Sequence, residues 1–274
     1  AMAFTTIVPA PPLRQSIAML WDWRVEPGSF RLERILPQPG TTLIINLHED
    51  ETRVYSDDAQ CRCERSCGTV FSGQFTRSFV IDSVEQIAVI GVAFRPAGAC
   101  AFLRERMDVL GNRHTAFDDL AGPSARALRE RLLQVPAADA RLALLEGWLR
   151  SRFSGIAPHP AVALALHGLD RLPQVPRIGD LVAASGLSAR RFGTLFREQV
   201  GIGAKRYARM QRFRMVVAGA TDGRRVDWSQ VALDCGFHDQ PHLAREFRAF
   251  AGMTPGAYLA RRRDHVNHVP LHVG

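Results

Sequence analysis

The stretch from Leu181 to Arg214, LVAASGLSARRFGTLFREQVGIGAKRYARMQRFR, recurs in diverged form from Val231 to Arg263 as VALDCGFHDQPHLAREFRAFAGMTPGAYLARRR. Gly186 maps onto Gly236 at an offset of 50, while Phe196 onto Phe247, Gly201 onto Gly252 and Tyr207 onto Tyr258 share an offset of 51. One residue is therefore inserted between the first two helices of the second copy. A repeat governs the reading of the fold before any motif is interpreted.

In the first helix of each unit the apolar positions are Ile178, Leu181, Val182 and Ser185, matched by Trp228, Val231, Ala232 and Cys235. This is the i, i+3, i+4, i+7 face of a helix about two turns long. Gly186 and Gly236 follow at once, where a left-handed residue ends a helix and begins a tight turn. Asp227 with Gln230 three residues on has the form of a capping box. The second helix buries Phe192, Leu195, Phe196 and Val200 in one copy, and Leu243, Phe247, Phe250 and Ala251 in the other. Its opposite face carries Arg190, Gly193, Thr194 and Arg197, matched by Pro241, Ala244, Arg245 and Arg248. Helix, glycine turn and a second helix with small and basic outward residues describe a helix-turn-helix, whose second helix enters the major groove. Small residues permit close approach to base edges. Arginines supply bidentate donors to guanine or contacts to phosphate.

At these residues the chain resembles the AraC/XylS family of bacterial transcriptional regulators, over roughly Ile178 to Arg263. The resemblance implies two helix-turn-helix subdomains joined by a helix, about Ala204 to Ala218, binding successive major grooves on one side of double-stranded DNA. It implies DNA contacts from Arg190, Arg191, Gly193, Thr194 and Arg197 in the first unit. In the second unit it implies contacts from Gln240, Pro241, His242, Arg245 and Arg248. The family often carries longer polar residues where Gly193 and Thr194 stand, which reduces base readout by the first unit to Arg190 and Arg197. His238 replaces a common serine, with Asp239 still able to cap.

The charge distribution agrees. From Asp170 onward there are 17 Lys plus Arg against 9 Asp plus Glu, whereas the residues before it hold 18 of each, so the whole excess of +8 lies with the repeat. A basic balance confined to one part of a chain points to a polyanionic partner. No run of about 18 apolar residues exists, and the amino terminus lacks the basic-then-apolar order of a signal peptide, so a soluble cytoplasmic protein with no membrane partner is expected. Five cysteines, an odd number, fit a reducing compartment better than a disulfide scaffold.

The first hundred residues read as strands and turns, with IAMLWDWRV, TTLIINL and IAVIGVAF as apolar runs and PQPG as a turn signal, giving a small β-barrel or sandwich. From Ala99 the period becomes helical: ACAFLRERM, SARALRERLL, then ADARLALLEGWLRSRF with Leu142, Leu145, Trp148 and Leu149 on one stripe. His159-Pro160 starts another helix, and RLPQVPR reads as a linker. The segments RILPQPGTTLIINL and VIGVAFRPAGACAFL resemble the cupin-like regulatory domain of some family members. That resemblance implies effector sensing, oligomerisation or both.

The expected fold is thus α+β. A cupin-like N-terminal β-barrel with flanking helices spans 1–155, and a connecting helix and linker span 156–176. An all-α double helix-turn-helix domain spans 177–264, and 265–274 form a frayed tail containing His265, His268 and His272. The implied partners are double-stranded DNA, a small-molecule effector, a second copy in a homodimer and, for an activator, RNA polymerase. No cofactor and no catalysis are expected.

Three further features of the sequence bear on function. Trp21, Trp23 and Phe71, with Phe30, Phe75 and Phe94, can line an effector pocket, although aromatics on strands are more often core. Cys61, Cys63 and Cys67 in CRCERSC can bind a soft metal or respond to oxidation beside Arg62 and Arg65, but the spacing matches no strong zinc pattern and incidental loop cysteines are the simpler reading. Cys235 reads as a packed thiol. An enzyme is the rival from another class. A catalytic metal cupin needs converging histidines, yet the strand region holds only His48, with His114 after it. The zinc-cysteine pattern of an alkyl-transfer repair protein is not reproduced.

Overall fold

The computed structural model describes residues 3–26, 32–56, 62–171, 176–219, 226–263 and 265–271. Phe30, Cys61, the linker residues 172–175 and His272 lie outside them. Ten strands come first: β1 (Ala3–Ile7), β2 (Ile17–Arg24), β3 (Leu32–Ile35), β4 (Thr42–Asn46), β5 (Glu51–Tyr55), β6 (Cys63–Cys67), β7 (Thr69–Ser72), β8 (Phe79–Asp82), β9 (Ala88–Phe94) and β10 (His114–Ala116). Helices α1 (Phe117–Ala121), α2 (Ser124–Leu133) and α3 (Ala138–Arg152) follow. The carboxy-terminal part contains α4 (Pro160–Leu169), α5 (Ile178–Ser185), α6 (Ala189–Val200), α7 (Ala204–Gly219), α8 (Trp228–Asp234), α9 (Gln240–Ala251), α10 (Pro255–Arg261) and a last strand, β11 (His268–Leu271).

The strands do not close into the expected barrel. They form a six-stranded antiparallel sheet in the order β1-β2-β9-β4-β7-β10 and a separate five-stranded sheet in the order β11-β3-β8-β5-β6. The larger sheet is covered on both sides. One face packs under α2 and α3, where Leu20, Leu43, Ile45, Phe71, Ile90, Val92 and Phe94 meet Leu128, Leu132, Leu142, Leu145 and Leu149. The other face looks toward the smaller sheet. A strand covered on both sides reads as a continuous apolar run, which is why AVIGVAF carries no alternation.

The helical stretch expected from Ala99 is also corrected. Gly98–Ala101 and Met107–Leu110 are single 3-10 turns, and the first α-helix begins at Phe117. The cause is close packing: a Cβ on Gly98 would stand 2.0 Å from the carbonyl oxygen of Ser16, so this segment is pinned against the chain leading into β2.

Two further departures concern the carboxy-terminal part. Helix α4 is no free connector, because Val162, Ala165, Leu166 and Leu169 share a core with Leu181, Phe196 and Tyr207. The described part of the tail, 265–271, is not frayed: β11 pairs antiparallel with β3, His268 opposite Ile35 and Leu271 opposite Leu32, and Val269 is fully buried. His268–Leu271 thereby joins a sheet whose other strands lie in the amino-terminal half.

Candidate DNA interface and the cavity between the sheets

Each repeat folds as its apolar spacing requires. Gly186 (φ +68) and Gly236 (φ +73) occupy the left-handed conformation after α5 and α8, where a side chain would be strained. Asp227 caps α8 by accepting from the backbone N–H groups of Ser229 and Gln230 at 2.9 and 3.2 Å. The reciprocal half of the capping box is not made, since the Gln230 amide turns to Asp234 at 2.8 Å. Phe192, Leu195, Phe196 and Val200 on α6, and Leu243, Phe247, Phe250 and Ala251 on α9, are all buried. Cys235 is buried too, and burial pushes its thiol up to about 11.

The opposite faces of α6 and α9 are free. Arg190, Arg191 and Arg197 are exposed, with Gly193 and Thr194 half-buried beside them. On α9, Gln240, Pro241, Arg245 and Arg248 are exposed. His242 is turned back: its Nδ1 accepts from the His238 N–H at 3.3 Å and its ring stands edge-on to Phe237. Ser188 caps α6 by accepting from Arg191 N–H at 3.3 Å, and Asp239 caps α9 by accepting from His242 N–H at 2.7 Å. That second bond, with the neighbouring His238 ring, holds the Asp239 carboxyl below the usual range. Neither helix has an acidic residue in its first turn. Placing Arg190 and Arg191 at a positive helix end works against the macrodipole, a local cost that suits a surface meeting an anion.

The other ends of α6 and α9 are docked. The α9 carbonyls of Phe250 and Ala251 accept from Ser78 N–H at 2.8 Å and from the Arg34 guanidinium at 2.7 Å, so the smaller sheet satisfies groups that a helix end leaves open. On α6 the Gln199 carbonyl accepts from the Cys100 thiol at 3.6 Å, and Glu198 lies 3.6 Å from Arg106. Asp108 beside it is held below the usual carboxylate range, chiefly by Arg106 and in smaller part by the charge of Arg197. Arg209 on α7 grips Glu246 on α9 through two bonds of 2.6 and 2.7 Å. Burial would raise the Glu246 carboxyl, but the guanidinium outweighs it and the group lies low. Sequence reasoning passed over Glu246, Arg34 and Ser78, because their partners are carbonyls or side chains brought close only by the fold.

A cavity of about 470 Å³ lies between the two sheets. Trp21 and Trp23 line it, whereas Phe71 does not: it is fully buried on the helix side of the larger sheet against Phe94. Strand parity explains the split, since alternate residues of β2 face opposite sides and Asp22 points to the helices. Gly91, opposite Trp21 in the register, leaves room for the indole, for a Cβ there would stand 2.3 Å from the ring. The far wall of the cavity is the tail, from His265 to His268.

Cys63 and Cys67 are not in a loop. They stand at the two ends of β6, the outer strand of the smaller sheet. Four residues of extended chain separate their Cα atoms by about 13 Å, too far to share one metal ion. No cluster of three metal-ligating side chains occurs among the described residues.

A fold with two exposed, arginine-bearing second helices after glycine turns defines a helix-turn-helix DNA-binding protein. The family model described as "Helix-turn-helix domain" matches residues 181–261, and the carboxy-terminal part is an AraC-type domain of that kind. The model described as "Domain of unknown function (DUF6597)" matches residues 5–116. Among solved structures, the DNA-binding domain of the global transcriptional factor AdpA, in complex with a target DNA, is 26% identical. It covers 37% of this chain and 90% of its own, with a TM-score of 0.33. ToxT from Vibrio cholerae is 10% identical over 94% of this chain and 98% of its own, with a TM-score of 0.48. Its unsaturated-fatty-acid-bound form is 9% identical over 93% and 94%, with a TM-score of 0.44. No curated protein matches the chain. Among the described residues, no helix is long and apolar enough to cross a membrane.

Proposed function

We propose that the protein is a sequence-specific transcriptional regulator that reads two successive major grooves with α6 and α9, and that a small molecule held by the amino-terminal half modulates it. The observation that carries the reading is the free, arginine-bearing N-terminal half of each second helix, repeated once along the chain while the C-terminal halves are docked. Base contacts fall to Arg190, Arg197 and Arg245, with Arg191 and Arg248 nearer the phosphates. Gly193 and Thr194 allow the α6 backbone close approach. The amino-terminal half also forms the homodimer, and an activating form would meet RNA polymerase beside the bound operator.

Selection of the full chain on randomised duplexes tests the reading, followed by footprinting. Each protomer should protect two contacts about 10 base pairs apart on one side of the duplex. The affinity should fall with salt by about 0.9 in log units per neutralised phosphate. A flat salt response, or enrichment of no sequence, would overturn the reading; a single protected groove would make the first unit a support for the second.

A further inference from the structure

The cavity has a lining whose chemistry selects a ligand. One side is aromatic: Trp23 meets Phe4 edge-on at 5.6 Å and His265 edge-on at 5.0 Å, with Trp21 beside them. The other side carries the Glu33 carboxylate, and among the described residues neither Lys nor Arg lines the space. Glu33 is held in place by the His268 ring, Nδ1 to Oε2 at 3.0 Å. Ring faces attract cations through the quadrupole, and a carboxylate nearby adds a full opposite charge. An anion entering would meet the like charge of Glu33. The volume falls in the range of small-molecule sites.

We propose that this cavity binds an organic cation, an ammonium group carried on an apolar or aromatic body, and that its occupancy acts on the second reading helix. This rests on the regulator reading above. The ammonium is placed between the rings of Trp21, Trp23 and Phe4 and the Glu33 carboxylate. The body of the ligand covers the apolar floor of the larger sheet.

The coupling follows from what forms the wall. His265 to His268 directly follow the second helix-turn-helix unit. The Val266 carbonyl accepts from the Tyr258 hydroxyl at 2.9 Å, and the buried Tyr258 ring packs on Phe247 of α9 at 5.5 Å. Asn267 accepts from Arg214 of α7, and its carbonyl accepts from Leu36 N–H at 2.9 Å in the smaller sheet. A ligand that presses on this wall therefore pushes on groups that seat α7 and α9. By linkage, DNA must then change the ligand affinity by the same factor that the ligand changes the DNA affinity.

Calorimetry on the full chain with three matched probes tests the site: phenethyltrimethylammonium, 3-phenylpropanamide and 3-phenylpropionate. The cation should bind at least tenfold more tightly than either of the others. Glu33→Gln should reduce that advantage to about twofold, while Glu33→Asp, which keeps the charge, should retain most of it. Trp23→Leu should weaken the cation at least fivefold, with the circular dichroism spectrum of the parent as the control for folding. Equal or tighter binding of the propionate, or binding of none of the three, overturns the site. DNA affinity is measured first without any probe, so a failed DNA-binding reading is told apart from a failed cation site. Saturating cation should then shift the DNA affinity at least threefold; an unchanged affinity with the cation bound overturns the coupling.

Discussion

Replacing Asp22 by alanine should be among the most destabilising single changes in the amino-terminal half. Arg141 of α3 is 1% exposed and Asp22 of β2 is 3% exposed, joined by two bonds of 2.6 and 2.9 Å. The remaining guanidinium N–H groups reach the carbonyls of Val135 and Pro136 at 2.8 and 2.7 Å. Asp22→Ala leaves that guanidinium buried with carbonyl partners alone, a situation that costs about 3–5 kcal/mol. For a urea dependence of about 2 kcal/mol per molar, the midpoint should fall by about 2 M. Tryptophan fluorescence reports it, since Trp21 and Trp23 flank the mutated position. The paired change Asp22→Leu with Arg141→Met removes both charges and should return the stability to within about 1 kcal/mol of the parent or above it. The perturbation bears on function because this pair fixes the face of β2 that looks at the helices, and with it the face that carries the two tryptophans into the cavity. A cost below about 1 kcal/mol for Asp22→Ala would mean that water reaches the guanidinium and that something else sets the strand's facing.

Arg245→Ala should cost about 1–3 kcal/mol on the selected operator and relax preference at one or two base pairs, whereas substituting Arg261 and Arg263 should weaken all duplexes alike; gel shifts on a mutated-site panel separate the two. Asp108→Asn removes a carboxylate within the field of Arg197 and should tighten DNA binding by about 0.2–1 kcal/mol, an effect that vanishes at high salt. His114 packs against Phe75 and Phe79 with neither ring nitrogen hydrogen-bonded, and burial lowers its pKa to about 4. Its folded pKa lies below the usual 6.5, so the unfolded chain binds more protons between those values. Stability should be full above about pH 6.5 and decline by about 3 kcal/mol as the pH falls toward 4, a slope that His114→Phe should flatten in urea titrations.

What could be read from the sequence was what local periodicity encodes. The buried faces of α6 and α9, the left-handed Gly186 and Gly236, the caps at Asp227 and Asp239, and helices α2 and α3 each follow from residues within a few positions of one another. The strands β2, β4 and β9 were equally visible as apolar runs, but their grouping was not. Whether they close into a barrel depends on pairings across the chain that no window contains. The tail shows the limit most clearly. HVPL is four residues with a proline, too short and too broken to read as a strand, and proline confines such a segment to a sheet edge. It is ordered because β3, more than 230 residues upstream, offers an open edge and because Tyr258 and Arg214 seat the turn before it.

The same distinction separates the two functional surfaces. The exposed arginines of α6 and α9 were legible because each helix is a continuous segment, and its outward face is whatever its apolar spacing leaves over. The cavity draws on β1, β2, β3 and the tail, whose side chains converge only when two sheets stack, so Trp21 and Trp23 could be proposed while Phe4, Glu33, His265 and His268 could not. Strand parity decides the matter even for the residues that were proposed: Trp21 and Trp23 share one face of β2, and Phe71 on β7 looks out from the other side of the same sheet. A surface that meets an extended partner is written along the chain, and a pocket that encloses a small one is written across it. The tail belongs to both, for it closes the pocket and continues directly from the second helix-turn-helix unit.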